Sequence, residues 1–356
     1  MLPPAVDIPT AWSRGGLVIP RPVEKNGYGV MGDPCIVWDE EISTWRMVLF
    51  CDPPGHGQSI CLHETDGVPD RWSPVEPLRF VEPLYSGGPP LRTHKPYIVQ
   101  EAGRPNHPAR IHGEYWLVSV MNGTERKFIQ RARATSLAGP WTWDEAPLIP
   151  TGGPGEFDEK HADAVSGFYF PERDEVLYFY MGYPAEAQPR GISPWGNAQG
   201  IAVQKADAAT ATKLGMVLPP VQEAGHWASG YFGGLQLLPG KKHRWVALLN
   251  ASPTAPTPED TSVAREEPAP SLGGWAWCDE EWPVKNWHVE PQPMEWIEDI
   301  PAEAIAEGEG TNLWRHHALV LADGRVAVYY NSGFYGKEQV YLKVSGEGKA
   351  GRSIKY

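Results

Sequence analysis

Five stretches of this sequence begin alike, and the repetition limits the possible folds more than any other feature. Each stretch has a polar or small residue, a short apolar run, a hydrophilic turn and a second run rich in aromatic residues. The stretches open at Asp33, Lys95, Asp163, Phe232 and His317. Repeats of this length indicate that each copy is one supersecondary unit whose core is completed by its neighbours.

Because five copies fill the chain, we predict an all-β fold, a five-bladed β-propeller forming a single domain over residues 1–356. The blades are expected at residues 30–75, 92–145, 160–210, 228–290 and 312–350. Their strand-like runs alternate or are wholly apolar, as expected for sheets packed on both faces. A short helix is predicted at Pro301–Gly308. Long loops are predicted at Gly152–Lys160, Ala185–Asn197 and Ser252–Ser271, the first two as walls of a central funnel.

Charge and cysteine usage indicate which partners and compartment to expect. The net charge of −13 argues against nucleic acid, since binding phosphates requires clustered Lys and Arg. No apolar run approaches the roughly 18 residues of a membrane span. The start of the sequence lacks the pattern of a secretory signal. The cysteines at 35, 51 and 61 fall in strand-like runs without CxxC spacing, which predicts small core residues in a reducing cytoplasm.

Aromatic content and the first residues of the repeats point towards carbohydrate. The chain has 16 Trp and 14 Tyr residues, and such rings pack against the apolar face of a sugar while their polar atoms meet its hydroxyls. The repeats open with two Asp, one Lys and one His, and in a propeller these residues would converge at one mouth of the funnel. The expected partner is a small oligosaccharide or glycoside; the oligomeric state is not predicted.

Several motifs resemble the five-bladed propeller glycosidases, with glycoside hydrolase family 43 as the nearest pattern. They are Gly32-Asp33-Pro34 before a strand, Ser136-Leu137-Ala138-Gly139-Pro140-Trp141 at the end of a blade, and Asp163 and His317 opening the third and fifth blades. The start of blade two, His94-Lys95-Pro96-Tyr97-Ile98, is similar to family 117. Family 130, of mannoside phosphorylases and mannosidases, is also similar in architecture.

The family 43 resemblance implies an inverting hydrolysis with assigned carboxylates. Asp33 would be the general base that activates water, and Asp163 would orient the sugar and adjust the pKa of the acid. Inversion requires the two reacting carboxyl groups to lie about 6.5–9.5 Å apart. The resemblance also requires a Glu at the start of blade four, but that segment reads Ala228-Ser229-Gly230-Tyr231-Phe232-Gly233.

The proton donor must therefore come from elsewhere. Glu309 is the first candidate, because burial beside Trp314 would raise a carboxyl pKa. The others are Glu223, His226, His161 and His94, since His readily gives up a proton near neutral pH. Substrate contacts are expected from His94, Lys95, His161, Trp314, Arg315 and His317, although Lys95 and Arg315 could simply pair with Asp33 and Asp163. No metal or cofactor is predicted, apart from a structural Ca²⁺ or a water near His317. A structural role is the alternative to a functional role for His317 itself.

These observations together predict a cytoplasmic, exo-acting, inverting glycoside hydrolase that removes a terminal sugar, arabinofuranoside-like or related. An inverting phosphorylase of the mannoside type is one alternative. A non-catalytic carbohydrate-binding propeller is another, favoured by the missing Glu of blade four. Metalloprotease, P-loop and serine-esterase motifs are absent from the sequence.

Overall fold

The structure is a computed structural model, and it describes residues 5–22, 29–52, 59–65, 67, 70–75, 78–81, 92–123, 126–185, 197–223, 225–253, 271–296, 299–306, 309, 313–333 and 337–346. These residues are almost all in strands or connecting turns, with one short helix, α1 (Ala302–Ala306), inside the segment predicted to be helical. The all-β class is therefore confirmed. Most of the loops predicted at residues 185–197 and 252–271 lies outside the described residues.

The strands form three antiparallel sheets of four strands and one sheet of eleven, which we divide into two antiparallel four-stranded units joined by short parallel pairings, giving five units in all. The first contains β2 (Val30–Asp39), β3 (Thr44–Asp52), β4 (Ser59–Thr65) and β5 (Ser73–Pro74). The second contains β7 (Arg92–Ile98), β10 (Glu114–Asn122), β11 (Lys127–Ala134) and β12 (Trp141–Trp143), with short pairings from β6 (Phe80–Val81) and β9 (Arg110–Ile111), while β8 (Gln100–Glu101) pairs with the third unit.

The remaining three units follow the same plan. The third contains β13 (His161–Phe170), β14 (Glu175–Tyr183), β15 (Ala198–Lys205) and β16 (Thr212–Leu218). The fourth contains β17 (Tyr231–Pro239), β18 (Trp245–Ser252), β19 (Leu272–Cys278) and β20 (His288–Pro293). The fifth contains β21 (His316–Val320), β22 (Val326–Ser332), β23 (Gln339–Ser345) and, as its outer strand, β1 (Trp12–Ile19), which pairs with β23.

Apolar side chains fill the spaces between neighbouring units. One cluster of buried residues runs through units one to four, a second joins the fourth unit to the fifth, and a third joins the fifth to the first. Tyr329 and Tyr330 show how one strand serves two of these interfaces: Tyr329 packs towards the first unit and Tyr330 towards the fourth. Successive side chains of a strand point to opposite faces, so both faces of β22 are buried.

Polar side chains connect the first strands of the units, which share no continuous ladder. Gln236 donates to the carbonyl of Ala318 at 3.0 Å and accepts from its N–H at 2.5 Å. Asn106 donates to the carbonyls of Ile36 at 3.2 Å and Ala318 at 2.9 Å. These amides satisfy buried backbone groups of the first and fifth units, which would otherwise be costly to bury.

The cysteines differ from the sequence prediction. Cys51 on β3 and Cys61 on β4 form a disulfide with their Cα atoms 5.9 Å apart, so the prediction that they are small unpaired core residues is wrong. Antiparallel pairing of β3 with β4 brings the two side chains together. Cys35 and Cys278 are free and buried. The cytoplasmic location stays a prediction.

In the described part of the chain, no helix has the length and apolar character needed to cross a membrane.

Candidate active site

A β-bulge recurs near the start of the first strand in four of the five units, and the bulges shape the candidate site. In β2, Asp33 and Pro34 together lie opposite a single residue of β3. Lys95 and Pro96 do the same in β7, as do residues 164–165 in β13 and 233–234 in β17. Such bulges re-aim side chains next to active sites. Proline fits there because the bulge needs no N–H from it.

The backbone at three of these bulges is left-handed. The φ angles are 54° at Asp33, 54° at Lys95 and 47° at Ala164. Asp33, Lys95 and Ala164 are thus structural equivalents, and Asp163 lies one residue before the bulge, equivalent to His94. The sequence repeat aligned Asp163 with Asp33 and Lys95. That alignment is wrong by one residue, because Ala164 is the structural equivalent. Non-glycine residues in this conformation are uncommon, which marks the bulges as places to seek function.

The Asp163 carboxylate is fully buried and paired with two lysines. Lys95 Nζ lies 2.6 Å from Oδ1 and Lys127 Nζ lies 2.9 Å from Oδ2. The N–H of Ala164 also donates to Oδ1 at 2.6 Å, and Tyr183 hydrogen-bonds the carboxylate. Burial alone would raise the pKa of Asp163, but Lys127 and Lys95 outweigh burial and hold that pKa well below its ordinary value. Asp163 is therefore a permanent anion near neutral pH.

The Asp33 carboxyl experiences the opposite balance. Burial raises its pKa above the ordinary value, and the nearby charge of Asp163 adds to the increase. Lys95, Arg315 and a hydrogen bond from the Lys95 backbone oppose this effect without cancelling it. Two acidic residues that share the same cations therefore have pKa values shifted in opposite directions.

His94 and His161 lie beside Asp163 and are both neutral near pH 7. His94 Nε2 is 3.8 Å from Asp163 Oδ1, and burial together with Lys95 holds the His94 pKa well below its ordinary value. His161 Nδ1 accepts the backbone N–H of Lys127 at 3.1 Å, and its ring meets Tyr183 edge-on. Burial and Lys127 lower the pKa of His161 to about 4.

Arg315 occupies space that the fourth unit leaves empty. Its guanidinium donates to the carbonyl of Val165 and acts on both Asp33 and Asp163. A Cβ built on Gly234 would lie 3.2 Å from Arg315 Nη1, and one on Gly233 would lie 2.4 Å from the amide of Asn250. Where the resemblance required a Glu, the fourth unit instead has two glycines that make room for Arg315 and Asn250.

Glu309 lies in a different cluster. It accepts from Tyr330 at 2.5 Å and pairs with Arg14, which also pairs with Glu295. Lys343 completes the cluster, 2.6 Å from Glu295. An adjoining pocket is lined by Glu295, Glu309, Tyr330 and Lys343, and every charged group lining it is already paired. The contacts of the described residues do not bring Glu309 to Asp33 or Asp163.

Trp314 and His317 lie on either side of Arg315 in the chain but in different surroundings. The backbone N–H of Trp314 donates to the carbonyl of Asn331 at 3.0 Å, which fixes the backbone just before Arg315. His317 is fully buried beneath the site, where its Nε2 lies 2.9 Å from the amide nitrogen of Gln100 and 3.3 Å from that of Gln236. Each Gln uses its oxygen to accept a backbone N–H, so both present N–H donors and His317 Nε2 is the acceptor.

Cation binding has little support from these contacts. Among the residues that the structure describes, no three His, Cys, Asp or Glu side chains are grouped so that they could hold a metal ion. The suggestion of a Ca²⁺ or water near His317 stays a prediction.

The loop over residues 152–160 is anchored to the third unit. Phe157 fills the space above two glycines, since a Cβ on Gly182 or Gly200 would lie 2.3 Å from its ring. Asp158 is buried, accepts from Tyr180 at 2.9 Å and pairs with Lys213 at 2.7 Å. The loop leads directly into β13, which carries His161 and Asp163.

The sequence reasoning missed Lys127 and Tyr183. Lys127 is the first residue of β11 and lies opposite Asn122, the last residue of β10. Thr93 and His94, near the start of β7, lie at this same edge, opposite Met121 and Val120. The starts of β7 and β11 both lie beside the end of β10. Predicting these strand pairings from the sequence would have placed Lys127 near His94.

Comparison with known proteins supports the fold. No family model matches the sequence, and no curated protein matches it. A solved structure titled "Glycoside hydrolase" aligns over 98% of this chain and 95% of its own, with a TM-score of 0.67 and 15% identity.

Two further solved structures extend the comparison. One comes from work on the family 130 mannoside phosphorylases, described as containing glycoside hydrolases that target β-1,2 mannosidic linkages in Candida mannan. It aligns over 99% of both chains with a TM-score of 0.62 and 13% identity. The catalytic domain of a family 62 α-L-arabinofuranosidase from Coprinopsis cinerea aligns over 95% of this chain and 97% of its own, with a TM-score of 0.59 and 10% identity. The predicted resemblance to propeller glycosidases is confirmed at the level of the fold.

Proposed function

We propose that this protein is a glycoside hydrolase and that its five units are the blades of a closed propeller, with the active site at Asp33 and Asp163. The observation that carries the proposal is the pair of buried carboxyls whose pKa values are shifted apart by shared neighbours. Environments that separate the pKa values of two acidic groups are how enzymes divide acid, base and electrostatic roles between them. The fold shared with glycoside hydrolases makes a sugar the natural substrate.

Asp33 takes the part of general base in this proposal. Its raised pKa makes the ionised carboxylate a better proton acceptor than an ordinary Asp, which suits the activation of a water molecule. Asp163 stays ionised and fully buried, so it holds Lys95 and Lys127 in place to orient the sugar, and its charge stabilises the positive charge that develops on the sugar ring. Inversion, which the resemblance implies, and exo action, which a closed funnel favours, complete the proposal.

The sequence predicts Glu309 as the proton donor, but its contacts favour a structural role. Its Oε1 accepts from both Arg14 and Tyr330. To protonate a leaving oxygen, Glu309 would have to give up the interaction with Arg14 and approach Asp33. Its role is therefore decided by substitution, as described in the Discussion.

The proposal is tested by measuring sugar release from a panel of aryl glycosides and small oligosaccharides by wild type and by Asp33→Asn. We expect turnover by wild type and a loss of about 1,000-fold or more in the variant, since a general base contributes roughly 10²–10⁴-fold. NMR of the first product anomer tests inversion. Equal turnover by both proteins would overturn the assignment of Asp33.

Phosphorolysis is the second candidate, and the cations Lys95, Lys127 and Arg315 around Asp163 are what favour it. The same panel with and without inorganic phosphate separates the two reactions, because a phosphorylase forms sugar phosphate only when phosphate is present. An α-L-arabinofuranoside belongs in the panel as the sugar expected from the sequence. Sugar binding without turnover would instead favour the non-catalytic propeller.

A further inference from the structure

The candidate site carries more positive charge than its carboxyls balance. Among the described residues, Lys95, Lys127 and Arg315 act on Asp163, and the other acidic group that they face is Asp33. Three cations therefore meet two carboxyls in a chain whose overall net charge is −13. A buried excess of charge is unfavourable unless an opposite charge accompanies it.

Another buried aspartate in the third unit has one lysine partner, whereas Asp163 has two. Asp158, in the same part of the third unit, is buried as completely as Asp163, and it also accepts from a tyrosine. A single lysine, Lys213, holds it at 2.7 Å. Asp163 has Lys95 in the same role at 2.6 Å and Lys127 as well. Lys127 is therefore a second cation beside a carboxylate that already has one lysine partner.

The surplus charge lies where a ligand would meet it. The side chains of Lys95 and Lys127 are 20% and 30% exposed, whereas the Asp163 side chain between them is 0% exposed. Beneath them Arg315 is buried, and its Nη1 has no hydrogen-bond partner among the described residues. The same holds for Nδ1 of the buried His94. An incoming ligand would therefore meet the ammonium groups of Lys95 and Lys127 first. Two nitrogens near them, Arg315 Nη1 and His94 Nδ1, have no hydrogen-bond partner among the described residues.

We propose that the sugar recognised at this site carries a carboxylate, which the ammonium groups of Lys127 and Lys95 bind above the Arg315 guanidinium. The inference rests on the proposed function and names its substrate class, a uronic or other acidic sugar in place of a neutral pentose. One carboxylate balances an excess of one positive charge. Inorganic phosphate, with a charge of about −1.5 to −2 near neutral pH, would exceed it.

The test measures binding separately from turnover. The probes are D-galacturonate and D-glucuronate, each paired with its neutral counterpart D-galactose or D-glucose, together with L-arabinose and inorganic phosphate, all titrated by calorimetry. We expect a uronate to bind at least about tenfold more tightly than the neutral sugar, with affinity falling as salt rises. Lys127→Met should remove most of that preference, and Lys127→Arg should keep it.

Lys213→Met is the matched control, because it removes a lysine from a buried aspartate in the same unit without touching the candidate site. Circular dichroism and melting curves establish that each variant is folded. A uronate preference that survives Lys127→Met, or equal binding of uronate and neutral sugar, would overturn the inference. Preferential binding of phosphate would overturn it in favour of phosphorolysis. Uronate binding without turnover of any uronide would support the acidic ligand while contradicting the hydrolase.

Discussion

Two buried ionic clusters in this molecule contain similar residues and differ in how completely they are paired. In the cluster of Arg14, Glu295, Glu309, Tyr330 and Lys343, two carboxylates meet two cations and a tyrosine hydroxyl, and each charge has a partner. In the cluster around Asp163, three cations meet two carboxyls, and donors on Arg315 and His94 are unsatisfied.

The difference separates a structural cluster from one that awaits a ligand. The Glu309 cluster connects β1, β22, β23 and the segments around Glu295 and Glu309, and its complete pairing is what stability requires. The Asp163 cluster has positive charge and hydrogen-bond donors to spare, which is what recognition requires. Substitutions in the two clusters should therefore affect different measurements.

The largest combined effect on turnover and stability is expected from Asp163→Asn. Turnover should fall by at least about 100-fold, and removal of one partner from a buried ion pair should cost about 3–5 kcal/mol of unfolding free energy at pH 7. Because the pKa of Asp163 is depressed in the folded state, the stability that it provides is present above its unfolded pKa of about 3.9 and is lost as pH falls through the lower folded value. The stability gap between variant and wild type should therefore narrow in acid.

Urea unfolding at a series of pH values, together with turnover at pH 7, checks this prediction. A gap that stays constant down to strong acid would mean that the charge of Asp163 does not stabilise the fold. Retained turnover in a folded variant would place the chemistry outside the Asp163 cluster.

A smaller effect is expected from Lys95→Met, as a shift in the pH dependence of kcat/KM. Activity should rise with pH as Asp33 ionises, and Lys95 is one of the groups that lower the Asp33 pKa. Without that cation the Asp33 pKa rises further, so the acidic limb should move up by about one pH unit. Lys213→Met should leave the limb in place. If the acidic limb of kcat/KM lies at the same pH in wild type, Lys95→Met and Lys213→Met, Asp33 is not the titrating base.

The smallest effect on turnover is expected from Glu309→Gln. The amide retains a partner for Tyr330 and loses the ion pair with Arg14, so unfolding should be easier by about 2 kcal/mol. Turnover by the folded variant should stay within about threefold of wild type. A loss beyond 100-fold, with unfolding free energy little changed, would reverse the comparison and identify Glu309 as the proton donor.

The sequence alone predicted most of the strands but not their number in each unit. The three apolar runs of each repeat became the first three strands of each unit, because alternating and wholly apolar runs report burial directly. The fourth strands were missed. Most of them are short or half exposed, as in β5 and β16, and β1 has its partner at the far end of the sequence.

The site was predicted in part, for reasons that lie in the bulges. Asp33 and Lys95 were found from the repeat, in which each precedes a proline and an apolar run. Asp163 was found but placed one residue out of register, since Ala164 gives no such signal. Lys127 depends on which strand ends share an edge, and the pairing of Glu309 depends on Arg14 from the opposite end of the chain. Neither relation is visible in local sequence.

The pairing of β1 with β23 has a consequence for biosynthesis. Ser13 Oγ donates to the carbonyl of Gly346, and the N–H of Gly346 donates to the carbonyl of Ala11. Strand β1 therefore has no partner until the ribosome has added more than 300 further residues, although the other four units can assemble as they emerge. Contacts between such distant residues are slow to form. We expect nascent chains to fold in two phases, with the outer strand of the last sheet docking only after synthesis has passed Gly346.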